Sequence, residues 1–289
     1  MSAGRLPAGG RIDRGRTLAF TFNGKPYKGV AGDTLASALL ANGVRLIARS
    51  WKYHRPRGIV SAGVEEPNAI VQLEEGAHAV PNARATEVAL YDGLRARSVH
   101  CWPGPERDVM RFAGLFSGLM PAGFYYKTFM WPKGLWTTYE RFIRKASGLG
   151  EAPAQPDAST YDKTTAYCDV LVAGAGPAGL AAALAAGRAG ARVIVADEQS
   201  EPGGSLLSMP AGSAVRIGGR APGAWLEEAL AELRAMPHVR VLPRSTVFGY
   251  HDQNYLTIAE RRHDHLPLGQ RSGRRDKELP DIRDYLPRK

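Results

Sequence analysis

Residues 169–187 read DVLVAGAGPAGLAAALAAG. A short apolar run is followed by Gly174-Ala175-Gly176-Pro177-Ala178-Gly179, and then by a stretch of alanines and leucines. That order predicts a buried strand, a tight turn and a slim helix. Each glycine has its own reason to be there. Gly174 permits the turn, Gly176 leaves the backbone bare so that a pyrophosphate can approach, and Gly179 lets the helix lie close on the strand. The amides near Pro177 and Ala178 open the helix, where the peptide dipole favours an anion. A second strand is predicted at Arg192–Asp197, which gives Val170–Asp197 the length of one βαβ unit. Asp197 stands about 20 residues past the glycines, where a carboxylate accepts hydrogen bonds from ribose hydroxyls. Glu198 and the neutral Gln199 follow. Two acids with no arginine near them in the chain argue against a 2′-phosphate, and so for NAD over NADP.

The pattern continues outward on both sides. Gly203-Gly204 and Ser205 follow a few residues on; a helix is expected at 223–236 from its apolar spacing, and a third strand within 238–250. Upstream, SGLGEAPAQPDAST (147–160) reads as a linker. Residues 99–145 hold eleven aromatics, among them Trp102, Phe112, Phe124, Trp131 and Phe142. So much apolar surface is expected to pack on the chain's own domains or on another subunit. At the front, LAFTFNGKPYKGVAG (18–32) alternates about Asn23-Gly24, a two-residue hairpin turn. A helix over 33–43 follows, capped by Asp33 or Thr34 and ended by Gly43. Hairpin then helix is the start of a β-grasp domain, with further strands expected at Ala69–Leu73 and Ala85–Leu90. The expected divisions are a flexible arm (1–16), a β-grasp domain (17–98), an aromatic-rich connection and linker (99–160), a partial nucleotide-binding domain (161–262) and a charged, disordered tail (263–289).

Composition excludes several classes. At 289 residues with 44% hydrophobic content the chain can bury two cores. Its net charge of +10 is spread out and not interleaved with stacking aromatics, which argues against nucleic acid. Two cysteines, Cys101 and Cys168, cannot build a disulfide framework and fit a reducing, cytoplasmic setting. Residues 1–16 lack the apolar core of a signal peptide. The longest uncharged apolar run, Phe112–Tyr126, is shorter than the ~20 residues of a spanning helix and carries Pro121, so no membrane span is expected.

The acid…Gly-Gly spacing of DEQSEPGGSL resembles the two-dinucleotide-binding flavoproteins, which bind FAD or NAD in this way. Together with FTFNGKPYKGVAGDTLASALLANG and RSWKYHRPRGIV, the chain over roughly 15–262 resembles the α subunits of heterotetrameric sarcosine oxidases. The resemblance implies an α/β fold with an α+β N-terminal domain: a β-grasp, 2Fe-2S ferredoxin-like domain followed by an incomplete Rossmann-type FAD/NAD(P)-binding domain. It implies NAD contacts at Ala178, Asp197, Glu198, Gln199, Ser205 and Val247, beside Gly174, Gly176, Gly179 and Gly204. It implies partners, the β, γ and δ subunits, with FAD carried by another subunit and FMN between subunits of the complex. It implies oxidation of sarcosine to glycine with O2 and tetrahydrofolate, giving H2O2 and methylenetetrahydrofolate, or formaldehyde without folate. Sarcosine meets a flavin on another subunit, so no catalytic residue is assigned. Relatives of this N-terminal fold, the α subunits of hydrogen cyanide synthase and opine oxidases, hold a [2Fe–2S] cluster on four cysteines. Residues 55–71 here contain none, and Ser61, Glu65, Glu66 and Asn68 are poor substitutes for thiolates, so a cluster-free domain is expected. The tail lacks the apolar period of further strands, and neither a second nucleotide half nor a folate domain follows. A truncated form of the subunit, inactive alone, is the expectation. The alternatives are an FAD-binding subunit of a related amine or opine oxidase and a non-catalytic nucleotide-binding assembly module.

Overall fold

The computed structural model describes residues 4–119, 123, 131–132, 134–156, 161–210 and 212–271. The chain divides into two compact units, Met1–Leu6 with Ile12–Ser159, and Pro7–Arg11 with Thr160–Lys289.

The first unit is a five-stranded sheet with a helix against it. β1 (Asp13–Phe22) and β2 (Lys25–Ala31) form a hairpin in register Phe22↔Lys25. Asn23 and Gly24 both take positive φ, +52° and +74°, as the primed turn requires. α1 (Leu35–Ala41) starts at Thr34, whose hydroxyl accepts from the Ser37 amide while the Ser37 hydroxyl accepts from the Thr34 amide. Asn42 closes it, and Gly43 beyond it is left-handed, φ +76°. Two residues each of β3 (Ala48–Arg49) and β4 (Pro56–Arg57) form a separate ladder. β5 (Ile70–Leu73), β6 (Val80–Arg84) and β7 (Leu94–Ser98) complete the sheet in the order β2-β1-β7-β5-β6, β7 running parallel to β1. Phe20, Phe22, Leu35, Leu39, Ile47, Val71 and Leu94 fill the core.

Two expectations change here. Ala85–Leu90 is not a strand: the chain turns at Arg84–Glu87, and the strands are 80–84 and 94–98. Ala85 and Leu90 are apolar because they plug the core, at 0% and 6% exposure, not because they alternate across a sheet. Nor is 1–16 a loose arm throughout. β1 already starts at Asp13, and Arg5 donates both Nη1 and Nη2 to the buried Asp33 carboxylate, 3.0 and 2.6 Å, which otherwise lacks a countercharge. Of the aromatic connection, Trp102, Phe112, Trp131 and Phe142 are mostly exposed, and α2 (Trp136–Ser147) carries the last of these. Tyr125, Tyr126 and the aromatics at 124 and 129 lie outside the described residues, as do 272–289 of the tail.

The second unit contains a three-stranded parallel sheet in the order β10-β9-β8. β8 (Val170–Ala173), α3 (Pro177–Arg188) and β9 (Val193–Ala196) form the βαβ unit, within two residues of the sequence reading at each strand end. α4 (Pro222–Ala235) leads into β10 (Val239–Leu242), and a hairpin follows, β11 (Ser245–His251) with β12 (Tyr255–Glu260). Leu180, Ala183, Leu184, Val193, Val195, Leu226 and Leu233 form its core. One helical turn, α5 (Leu268–Arg271), lies within the expected tail.

Candidate functional site

The glycine turn has the geometry its spacing predicts. Gly174 sits at φ +101°. A Cβ on Gly179 would fall 1.9 Å from the Gly174 carbonyl oxygen, so close helix–strand packing is why this position is bare. A Cβ on Gly176 would meet nothing within 4 Å. Packing therefore does not require glycine at 176, and the open space above it is what an approaching phosphate needs. Ala178 is exposed at the first turn of α3, beside the unpaired helix amides.

Gly203-Gly204 is brought onto this turn from 25 residues downstream of Ala178. The Gly203 amide donates to the Ala175 carbonyl, 2.8 Å, and a Cβ on Gly204 would lie 2.9 Å from the Gly176 Cα. Gly204 itself is left-handed, φ +51°. Ser205 follows, exposed at the rim.

The two acids stand in different surroundings. The Asp197 carboxylate is 8% exposed; one oxygen accepts from the Ala175 amide, 2.5 Å, and the other from the Gln199 amide, 2.8 Å. It ties the glycine turn to the end of β9, and each oxygen keeps a further lone pair. Glu198, the next residue, is half-buried. The surroundings of this strand end come from far along the chain. Ser245 donates its amide to the Asp197 carbonyl, 2.7 Å, and Arg244 to that of Gln199, 2.8 Å. Arg261 puts Nη2 on the Glu198 carbonyl, 2.7 Å. Arginines therefore do reach the strand end, contrary to the reading from chain neighbours alone. Val247 lies in β11, opposite Ile258.

In the first unit Glu66 is the organising group of the 55–71 loop, a role sequence reasoning missed. It is 1% exposed. Its Oε2 accepts from the amides of Val60 and Ser61, both 2.7 Å, and its Oε1 from those of Asn68, 2.7 Å, and Ala69, 3.1 Å. Burial pushes this carboxyl up, but the four amides together outweigh it and hold it below its ordinary 4.5.

Comparison with known proteins bears on both units. Residues 15–101 match the family described as a 2Fe-2S iron-sulfur cluster binding domain, and 169–255 match FAD dependent oxidoreductase. The sarcosine oxidase α subunit of Rhizobium meliloti (strain 1021) is 54% identical over 267 residues, 92% of this chain and 27% of that protein. The chain is a homologue of sarcosine oxidase α subunits. That of Corynebacterium sp. (strain P-1) is 38% identical over 91% of this chain and 23% of its own length. An opine oxidase subunit of Rhizobium meliloti is 39% identical over 32% of this chain and 18% of its own. The chain thus spans about a quarter of the length of the sarcosine oxidase subunits it matches.

The donor set does not fit an iron–sulfur cluster, despite the family matched. Such a cluster takes four thiolates, and the matched stretch contains Cys101 alone, at its end. Burial raises the Cys101 thiol to about 11, the nearby Asp108 adding to the shift, so it stays protonated. The loop amides that could face an anionic cluster are taken by Glu66. Among the described residues no group of three or more His, Cys, Asp or Glu is placed to hold a metal. Nor is any helix among them long and apolar enough to cross a membrane.

Proposed function

We propose that this chain supplies the dinucleotide-binding portion of a cytoplasmic sarcosine oxidase α subunit. The observation that carries the proposal is the homology along nine-tenths of the chain, joined to a glycine turn whose one unexplained glycine, Gly176, opens onto empty space. In this reading the Gly174–Gly179 turn and the first amides of α3 hold the pyrophosphate. Asp197 and Glu198 take the ribose hydroxyls. Asp197 keeps the turn in place, Gly204 and Ser205 close its far side, and Gln199 and the Val247 backbone border the adenine. The bound dinucleotide would accept or pass on electrons; this chain's residues bind and orient it.

The ADP half is common to NAD and FAD, and the turn reads only that half. NAD is the ligand implied by resemblance to the sarcosine oxidases. FAD is the second reading, favoured by the family match over 169–255. The assembled enzyme would convert sarcosine, O2 and water to glycine, formaldehyde and H2O2, tetrahydrofolate intercepting the one-carbon unit. Partner subunits are part of the proposal, and the exposed Trp102, Phe112, Trp131 and Phe142 offer them an apolar face.

Co-expression with the other oxidase subunits tests this directly. Recovery of a complex, with sarcosine-dependent peroxide production, is expected. Nucleotide released from the isolated chain by denaturation should be NAD; a flavin absorption band would shift the reading to FAD. A chain that binds neither nucleotide and joins no complex would refute the proposal.

A further inference from the structure

The first unit contains a second concave site, far in sequence from the glycine turn. From Thr34 to Val64 the chain has no Asp or Glu, yet it carries Arg45, Arg49, Lys52, Arg55 and Arg57. The β3–β4 ladder, Ala48↔Arg57 and Arg49↔Pro56, folds this run back on itself. The result is a cavity of about 140 Å³ whose walls include Arg49, Arg57, Ser50, Asn68 and Trp51.

The two guanidinium groups differ in how they are held. Arg49 is 9% exposed. Its Nε donates to the Pro105 carbonyl and its Nη1 to that of His54, both 2.8 Å. These carbonyls orient the group without cancelling its charge. A longer ion pair, 3.9 Å, joins its Nε to the buried Asp108 carboxylate, which also meets His54 Nδ1 at 2.8 Å and the amides of Trp102 and Met110, so Arg49 brings a fixed donor fork more than a free charge. Arg57 is half-buried, and its guanidinium makes no hydrogen bond or ion pair with any described residue. A half-buried, unpaired arginine beside a second, pre-oriented one is an arrangement that lowers its energy by taking an anion. The remaining wall is neutral. His100 places Nδ1 on the Ser147 carbonyl, 2.7 Å, and burial lowers its pKa, so it adds no charge at neutral pH. Trp51 stands half-exposed at 49%, a flat apolar surface beside the cations.

We propose that this cavity binds a phosphate monoester, its oxyanion between Arg57 and Arg49 and its organic part against the Trp51 indole. Planar, forked donors favour the tetrahedral oxyanion. The ring supplies stacking or apolar contact for whatever the phosphate is attached to.

The full chain, saturated with NAD, which has no terminal phosphate, to occupy the glycine turn, would be titrated with inorganic phosphate, phenyl phosphate and acetate at constant ionic strength, following calorimetric heat and tryptophan fluorescence. Saturable phosphate binding is expected, with phenyl phosphate tighter and acetate weaker. Arg57→Gln should weaken phosphate about tenfold or more, while Arg55→Gln, on the exposed side of the same segment, should leave it unchanged. Arg57→Lys, which keeps charge without the fork, should fall between. Absence of saturable phosphate binding, or equal binding by the parent and Arg57→Gln, would overturn the proposal. Acetate binding as tightly as phosphate would overturn the phosphate assignment, and phenyl phosphate no tighter than phosphate would overturn the role of Trp51.

Discussion

Glu66 offers the sharpest test of how the first unit is held together. Its carboxylate accepts four backbone amides that no other group in the loop satisfies. Each such bond to a charged acceptor contributes about 1.5–3 kcal/mol, and each amide left dry costs about 1–3 kcal/mol. Simple addition over four amides would rival the whole stability of a domain, about 5–15 kcal/mol, so it overstates the effect. Val60 is 69% exposed and Ser61 half-buried, so their amides regain water when the acceptor goes. Ala69 is fully buried at 0%, and its amide does not. Glu66→Ala should therefore cost about 3–5 kcal/mol. Glu66→Gln keeps the shape but turns an NH2 toward two amide donors in either orientation. The wetter Val60–Ser61 side should take it, at a cost of about 2–3 kcal/mol. Urea unfolding of the first unit at pH 7 measures both, with hydrogen exchange at residues 60, 61, 68 and 69 locating the loss. The pH dependence gives a second check. The folded carboxyl titrates below its ordinary 4.5, so its stabilisation is present above that value and lost as pH falls through the folded pKa. The gap between parent and Glu66→Gln should accordingly close below about pH 4.5. A Glu66→Gln protein within about 0.5 kcal/mol of the parent at pH 7, with the same acid limb, would refute the reasoning.

Gly176→Ala should leave unfolding within about 0.5 kcal/mol of the parent but abolish ADP binding, because its Cβ enters space that only a ligand would fill; retained binding would place the pyrophosphate elsewhere. Gly179→Ala should destabilise the second unit by more than about 2 kcal/mol, since its Cβ collides with the Gly174 backbone, and an unchanged midpoint would contradict that packing. Asp197→Asn turns an NH2 toward the Ala175 or Gln199 amide and should cost about 1–3 kcal/mol of stability; unaltered stability would contradict its role in holding the turn. Cys101, with its thiol at about 11 against an ordinary 9.0, should alkylate at pH 8 roughly a hundredfold slower than a free cysteine, and mass spectrometry showing a rate equal to free cysteine would count against its burial.

What could be read from sequence was what local chemistry determines. The Asn23-Gly24 turn, the Thr34 cap and the βαβ unit follow from positive φ, side-chain capping and apolar runs within a few residues, and they were legible in advance. The Ala85–Leu90 strand was misread because Ala85 and Leu90 are buried by tertiary plugging, and burial alone imitates alternation over so short a stretch. The role of Asp197 depends on an amide 22 residues earlier, and the surroundings of Glu198 on an arginine 63 residues later. Neither separation leaves a periodic trace. In the sequence Glu66 reads only as a poor thiolate substitute. That a carboxylate two to six residues from its amide donors gathers the loop is visible only once the backbone has closed around it.

The choice between a bare ribose and a 2′-phosphate rests on one group more than chain order implies. Chain order offers two acids and no arginine. In the structure each Asp197 oxygen accepts one backbone amide and keeps a lone pair for a ribose hydroxyl, and Arg261 stands at the Glu198 carbonyl. Discrimination then falls to Asp197 and Glu198 against Arg261, whose Nη2 lies 2.7 Å from the Glu198 carbonyl. Arg261 is partly satisfied by the Glu198 carbonyl, so it is held at the strand end and is not fully available to a phosphate. The two acids should still prevail in the parent, because a carboxylate that accepts ribose hydroxyls gains about 1.5–3 kcal/mol per bond and repels a dianion. ADP should therefore bind more tightly than its 2′-phosphorylated analogue. In Glu198→Gln that residue's share of the repulsion disappears while Arg261 remains, so ADP should weaken and the 2′-phosphorylated analogue should strengthen, narrowing or reversing the preference. In Arg261→Gln the analogue should weaken further and ADP should change little. Calorimetric titration of the three proteins with the two ligands, at fixed salt, separates these outcomes. Equal binding of both ligands by the parent would show that the ribose end of the site lies elsewhere, and a preference untouched by Glu198→Gln that Glu198 takes no part in it.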